Sequence, residues 1–115
     1  MKILWVSRHK MTKEQIDDLT RIYGEAEIIQ VDQTINRAED ILAIDADVYA
    51  VVLPIDIIAE LKKQTEKDVI RPVSSRVKSD VTKINPANGL MESEYIFRHE
   101  GWQRINRIEI DTEIL

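Results

Sequence analysis

Three short apolar runs, Ile3–Val6, Ile28–Val31 and Val48–Leu53, alternate with segments of helical period through the first half of the chain. Runs of that length suit buried strands, and strands alternating with helices suit βαβ units. Such a unit returns its second strand parallel to the first by a right-handed crossover. Ile3–Val6 and Val48–Leu53 are apolar on both faces, as central strands covered by helices on each side are. Gln30 interrupts the middle run, which therefore belongs further out. The pattern predicts a strand order 2-1-3, with a fourth strand, Val69–Val73, beside the third.

The helices between the strands carry their own signals. Thr12 and Gln15 have the spacing of a capping box, and Met11 with Ile16 that of a hydrophobic staple. Ile16, Leu19, Ile22 and Tyr23 follow at helical spacing and Gly24 supplies a stop, so a helix is predicted over 12–23. Thr34 or Asn36 is the expected cap of a second helix with Ile35, Ala38, Ile41 and Leu42 on its apolar stripe. Pro54 and Asp56 open a third, with Ile57, Ile58 and Leu61 inward and Lys62-Lys63 at its C-terminus.

Beyond residue 67 the pattern weakens. Pro72 cannot donate to a ladder, so it is placed at an edge or a strand end. Residues 78–93 are polar and include Asn85-Pro86-Ala87-Asn88-Gly89, and they read as a loop. Tyr95–His99 and Trp102–Ile110 read as a hairpin turning at Glu100-Gly101. The apolar spacing 102, 105, 108, 110 needs a bulge between Arg104 and Arg107. The expected architecture is one α/β domain over 1–115, Rossmann-like and three-layered. It comprises βα repeats over 1–77, a loop over 78–93 and an antiparallel β-hairpin over 94–111.

Composition bounds the chemistry. The chain of 115 residues carries a net charge of −5, which argues against a general nucleic-acid binder. Residues 1–60 hold 6 Lys/Arg against 12 Asp/Glu, and residues 61–115 hold 10 against 9, so a basic patch belongs to the second half. The absence of cysteine excludes disulfides, thiolate metal sites and cysteine nucleophiles. No apolar run approaches the ~18 residues of a membrane span, and the N-terminus lacks the shape of a signal peptide. A cytoplasmic protein without membrane contact is expected.

Ligands of open α/β sheets bind at the C-terminal ends of the strands, at the switch point. In a 2-1-3 order the loop Ser7-Arg8-His9-Lys10 lies there, leading to a helix N-terminus at Thr12. Hydroxyl, guanidinium, imidazole and ammonium groups favour an anion. Asp32, Asp56 and Arg76 leave neighbouring strands and complete the predicted ligand site. The three glycines avoid the first βα turn, so dinucleotide and P-loop fingerprints are missing. Ser7 and His9 lack the glycines of a nucleophile elbow. His9 and His99 have no metal-ligand spacing. No catalytic group, metal ligand or particular cofactor is identified.

A second constellation is Phe97, Arg98, Trp102, Arg104 and Arg107, with His99. Positive charge beside an aromatic ring suits a protein interface or a nucleic-acid backbone. It suits equally a core Trp102 with solvated arginines. The segments LWVSRHKMTKEQ (4–15) and FRHEGWQRINRIEI (97–110) resemble short uncharacterised proteins of bacteria and their mobile elements, a resemblance that implies no activity.

The leading expectation is a non-enzymatic binding or regulatory module. It holds an anionic, nucleotide-like small molecule at Ser7–Lys10 and self-associates through its C-terminal strands. The alternatives are a protein-interaction module, such as an inhibitor or accessory protein of a mobile element, and a nucleic-acid-processing enzyme.

Overall fold

The computed structural model describes residues 1–109 and 111–115, and their side chains except at 80 and 81. The chain forms β1 (Lys2–Val6), α1 (Lys13–Tyr23), β2 (Glu27–Val31), α2 (Ala38–Leu42), β3 (Val48–Val51), α3 (Ile55–Gln64), β4 (Asp68–Ile84) and β5 (Met91–Arg104). It is a mixed α/β fold; among the described residues five strands make one sheet, ordered β2-β1-β3-β4-β5. The first four strands run parallel, and β5 is antiparallel to β4.

Two apolar clusters sandwich the sheet. On one face Leu4, Val6, Tyr49, Val51 and Val69 meet Ile41 of α2 and Ile58 and Leu61 of α3. On the other, Ile3, Trp5, Val48, Ala50 and Ile70 meet Met11 and Leu19, with Trp102 packed against them. Alternate residues of each central strand thus feed opposite clusters. This is why those strands read as unbroken apolar runs.

Thr12 caps α1 as its spacing implies. Its hydroxyl accepts from the Gln15 N–H at 3.2 Å, and the Gln15 side chain accepts from the Thr12 N–H at 2.9 Å. Gly24 ends the helix at φ 81°, a conformation that favours glycine. The second helix departs from expectation. It starts at Ala38 behind Arg37, with no side-chain cap, so neither Thr34 nor Asn36 caps it.

The largest departure lies in the second half. Residues 78–93 do not form one loop. β4 continues to Ile84, and only the segment around Asn85–Leu90 turns, where Asn85 exchanges backbone hydrogen bonds with Gly89 and Leu90. The hairpin is therefore β4–β5, and Glu100-Gly101 is not its turn. Ser74 faces His99 while Val73 faces Gly101, so Glu100 is the extra residue of a bulge within β5. The bulge expected between Arg104 and Arg107 is not there, because the strand ends at Arg104. Ile105 and Ile108 instead join the α2/α3 cluster, with the Ile105 N–H on the Val69 carbonyl at 2.8 Å. The predicted strand's last residue, Ile110, lies outside the described residues.

β3 pairs with β4 only through residues 68–70, so Pro72 lies where β4 has a single neighbour. Beyond that point β4 and β5 run on as a two-stranded ribbon. The radius of gyration is 17.6 Å. A compact chain of this length has a value of roughly 13 Å, and the projecting ribbon accounts for the excess.

Candidate functional site at the strand rim

β1 and β3 are paired in parallel, and the ladder continues past both. The Val52 N–H donates to the Val6 carbonyl at 3.0 Å and the Ser7 N–H to the Val31 carbonyl at 3.2 Å. The three strands therefore discharge their loops on one rim. A cavity of about 420 Å³ opens there. It is walled by Val6 at the end of β1 with Ser7, Arg8 and His9 after it, by Gln33–Asn36 after β2, and by Val52–Pro54 with Ile57 around the start of α3.

The β1 turn is held from behind. Buried Ser7 accepts the His9 N–H on its hydroxyl oxygen at 3.1 Å. Gln30 donates to the Ser7 and His9 carbonyls at 3.0 and 3.2 Å, and the Trp5 indole N–H donates to the His9 carbonyl at 2.8 Å. These carbonyls are thus satisfied by protein donors. The Ser7 hydroxyl proton is not consumed by accepting from His9 and can donate to a ligand. Arg8 crosses the cavity mouth to donate to the Thr34 hydroxyl. That bond ties the β1 and β2 loops together and keeps a guanidinium at the opening.

Of the predicted ligand residues, Ser7, Arg8 and His9 line this cavity, and Lys10, Thr12, Asp32, Asp56 and Arg76 do not. Thr12 is engaged as the cap of α1. Exposed Asp32 precedes the cavity's β2 wall. Asp56 lines a neighbouring cavity of about 330 Å³ between α2 and α3. Arg76 lies far along β4, its guanidinium 4.0 Å from the Tyr95 ring centroid. Thr34 was expected near the switch point from strand 2 and does line the wall, whereas sequence reasoning missed Gln33 and Asn36, although amides directly after a strand's C-terminal end were the available signal. It also missed Val52, which reads as strand interior but lies past the strand, 51% exposed.

The second constellation is dispersed. Trp102 packs edge-on against Trp5, and its indole N–H donates to the Gln15 carbonyl at 3.2 Å, so it stacks inside the protein and not on an external base. Arg104 pairs with Asp68 at 3.2 Å, and Arg107 pairs with Glu109. Phe97 and Arg98 remain exposed on the ribbon. Partly buried His99 contacts Asp18 at 3.0 Å. This contact and the Arg21 pair hold the Asp18 carboxyl below its ordinary range. Tyr23 donates to Asp68 at 2.8 Å, and its hydroxyl is pushed up by burial and by that carboxylate.

Among the described residues no helix is long and apolar enough to cross a membrane. No known family, characterised protein or solved structure matches the chain.

Proposed function

We propose that this protein is a non-enzymatic binding module that holds an anionic small molecule with an apolar part, as a nucleotide has, in the rim cavity. One observation carries the reading. None of the twelve residues walling the cavity is acidic, whereas the chain as a whole holds 21 Asp and Glu. The wall offers instead a guanidinium, an imidazole, two hydroxyls and two amides, set around Val6, Ile35, Val52, Leu53 and Ile57. A ligand's charged group finds donors at Arg8, Ser7 and Thr34, and its apolar part finds the aliphatic wall. The start of α3 adds the positive end of a helix dipole, partly offset by Asp56 in the first turn. The cavity lies at the C-terminal rim of the parallel strands, where open α/β sheets take their ligands. Binding requires only these convergent donors. Catalysis requires in addition an activated group, and the wall supplies no nucleophile paired with a base and an orienting acid.

The test is thermal unfolding against nucleoside mono-, di- and triphosphates and inorganic phosphate. A ligand that binds the native state raises the melting temperature by linkage. The expected result is a concentration-dependent rise with at least one nucleotide that Arg8→Ala removes. A flat response across the panel at millimolar concentration overturns the reading.

A further inference from the structure

We infer that β5 is a homodimerisation strand, pairing antiparallel with β5 of a second copy about a twofold axis at Ile96. The inference is independent of the rim cavity. Among the described residues β5 is the outermost strand of the sheet and is 14 residues long, whereas the opposite edge, β2, has 5. A long uncovered edge is a template for another strand. Large apolar side chains flank this one on both faces. The cross-strand register sets Phe97 and Tyr95 on the face of His99 and Trp102, and Ile96 on the other. Phe97 is 78% exposed and Ile96 52% exposed.

Rings and charges together select the partner and the register, with Glu94 also paired to Lys83 of its own chain at 2.7 Å. With the axis at Ile96, that residue faces its own copy. Tyr95 then faces Phe97 and Glu94 faces Arg98, each twice by symmetry. Both aromatic contacts lie on one face, and both opposite-charge contacts share the face of Ile96. Moving the axis to Phe97 sets Ile96 against Arg98, so Glu94 loses its basic partner across the axis. Moving it to Tyr95 sets Ser93 against Phe97, and moving it to Glu94 opposes that carboxylate to itself. The Tyr95 register also sets Glu92 against Arg98 and Tyr95 against its own copy, but it leaves Phe97 opposite Ser93; the Ile96 register gives every one of these rings an aromatic partner and Arg98 an acidic one. The bulge at Glu100 ends the pairing there, and Ser75 holds that carboxylate within its own chain.

The experiment is sedimentation of the full chain at about 100 µM, ~100 times a micromolar Kd. The wild type is expected at twice the monomer mass. Glu94→Arg and Arg98→Glu each set like charges across the axis twice and are expected as monomers. Mixed together they restore both opposite-charge contacts, so the mixture is expected to form a heterodimer, which unfolded variants cannot do. The chain has no cysteine, so Ile96→Cys introduces a single thiol. It should oxidise to a covalent dimer much faster than Met91→Cys, whose thiols the register holds roughly 30 Å apart. A monomeric wild type, a dimer indifferent to both charge reversals, or faster cross-linking through Met91→Cys overturns the inference.

Discussion

Trp5 of β1 and Trp102 of β5 meet edge to face, ring centroids 5.8 Å apart, although β3 and β4 lie between their strands in the sheet. The contact closes over one sheet face beneath α1, where the Trp102 indole also reaches the Gln15 carbonyl. It is the point at which the ribbon is anchored to the parallel half. Trp102→Ala removes the ring, the indole hydrogen bond and part of the cover over Trp5. A loss of about 3 kcal/mol in denaturant unfolding is expected, at the low end for tryptophan truncation because Trp102 is only partly buried. A loss below ~1 kcal/mol would show that α1 repacks without it.

The Asp18–His99 contact gives the acid limb of stability a specific origin. The Asp18 carboxyl titrates below its ordinary value in the folded protein, first because of the hydrogen bond with His99 and then because of Arg21. A carboxyl with a depressed folded value contributes stability that is present above its unfolded value. That stability is lost as pH falls through the folded value. Stability should therefore decline as pH drops below about 4. Asp18→Asn should be less stable at neutral pH and should show a shallower acid decline. Urea midpoints of both proteins between pH 7 and pH 2 check this, and parallel curves would refute it.

The extent to which the fold was legible in the sequence follows how local its signals are. α1 was fully legible, since Thr12, Gln15 and Gly24 act within one or two turns. The parallel strands were legible because burial on both faces leaves unbroken apolar runs. The ribbon was not. A two-stranded arm with little on either face needs no apolar alternation, so the fourth strand read as ending at Val73 and Lys78 as opening a loop, although Ser74, Ser75, Arg76 and Lys78 pair in register with β5. Gly101, at φ 153°, read as a turn, whereas it follows the extra residue of a bulge. The site divides the same way. Ser7, Arg8 and His9 follow from topology alone. Gln33, Asn36 and Val52 depend on how three separate loops fold over one rim, and no spacing in the chain encodes that.

The α1 cap is a clean local test. Thr12→Ala removes the acceptor for the Gln15 N–H and unties the reciprocal bond, since the Gln15 side chain loses its reason to hold that geometry. Thr12 is exposed and does not line the rim cavity, so the cost should fall on stability alone. About 1 kcal/mol is expected, equivalent to roughly 4 °C in melting temperature for a chain of this size. Nucleotide-induced stabilisation should be unchanged. If it is lost with the cap, the N-terminus of α1 contributes to the site after all.

Val52 allows the electrostatics of the cavity to be separated from its shape. The residue is half-exposed on the cavity wall, past the end of β3, so polar replacements there should shift stability by less than ~1 kcal/mol. Val52→Asp places a carboxylate in a wall that otherwise has none, while Val52→Asn changes shape in nearly the same way without the charge. Two like charges about 6 Å apart at an effective dielectric of ~20 repel by roughly 3 kcal/mol, and solvent at the open mouth reduces this. At least a tenfold loss of nucleotide affinity, about 1.4 kcal/mol, is expected for Val52→Asp. A loss of less than about threefold, under roughly 0.7 kcal/mol, is expected for Val52→Asn. Titration calorimetry of the two variants against the nucleotide selected by the thermal screen makes the comparison. Equal losses would mean that the site recognises shape and not negative charge.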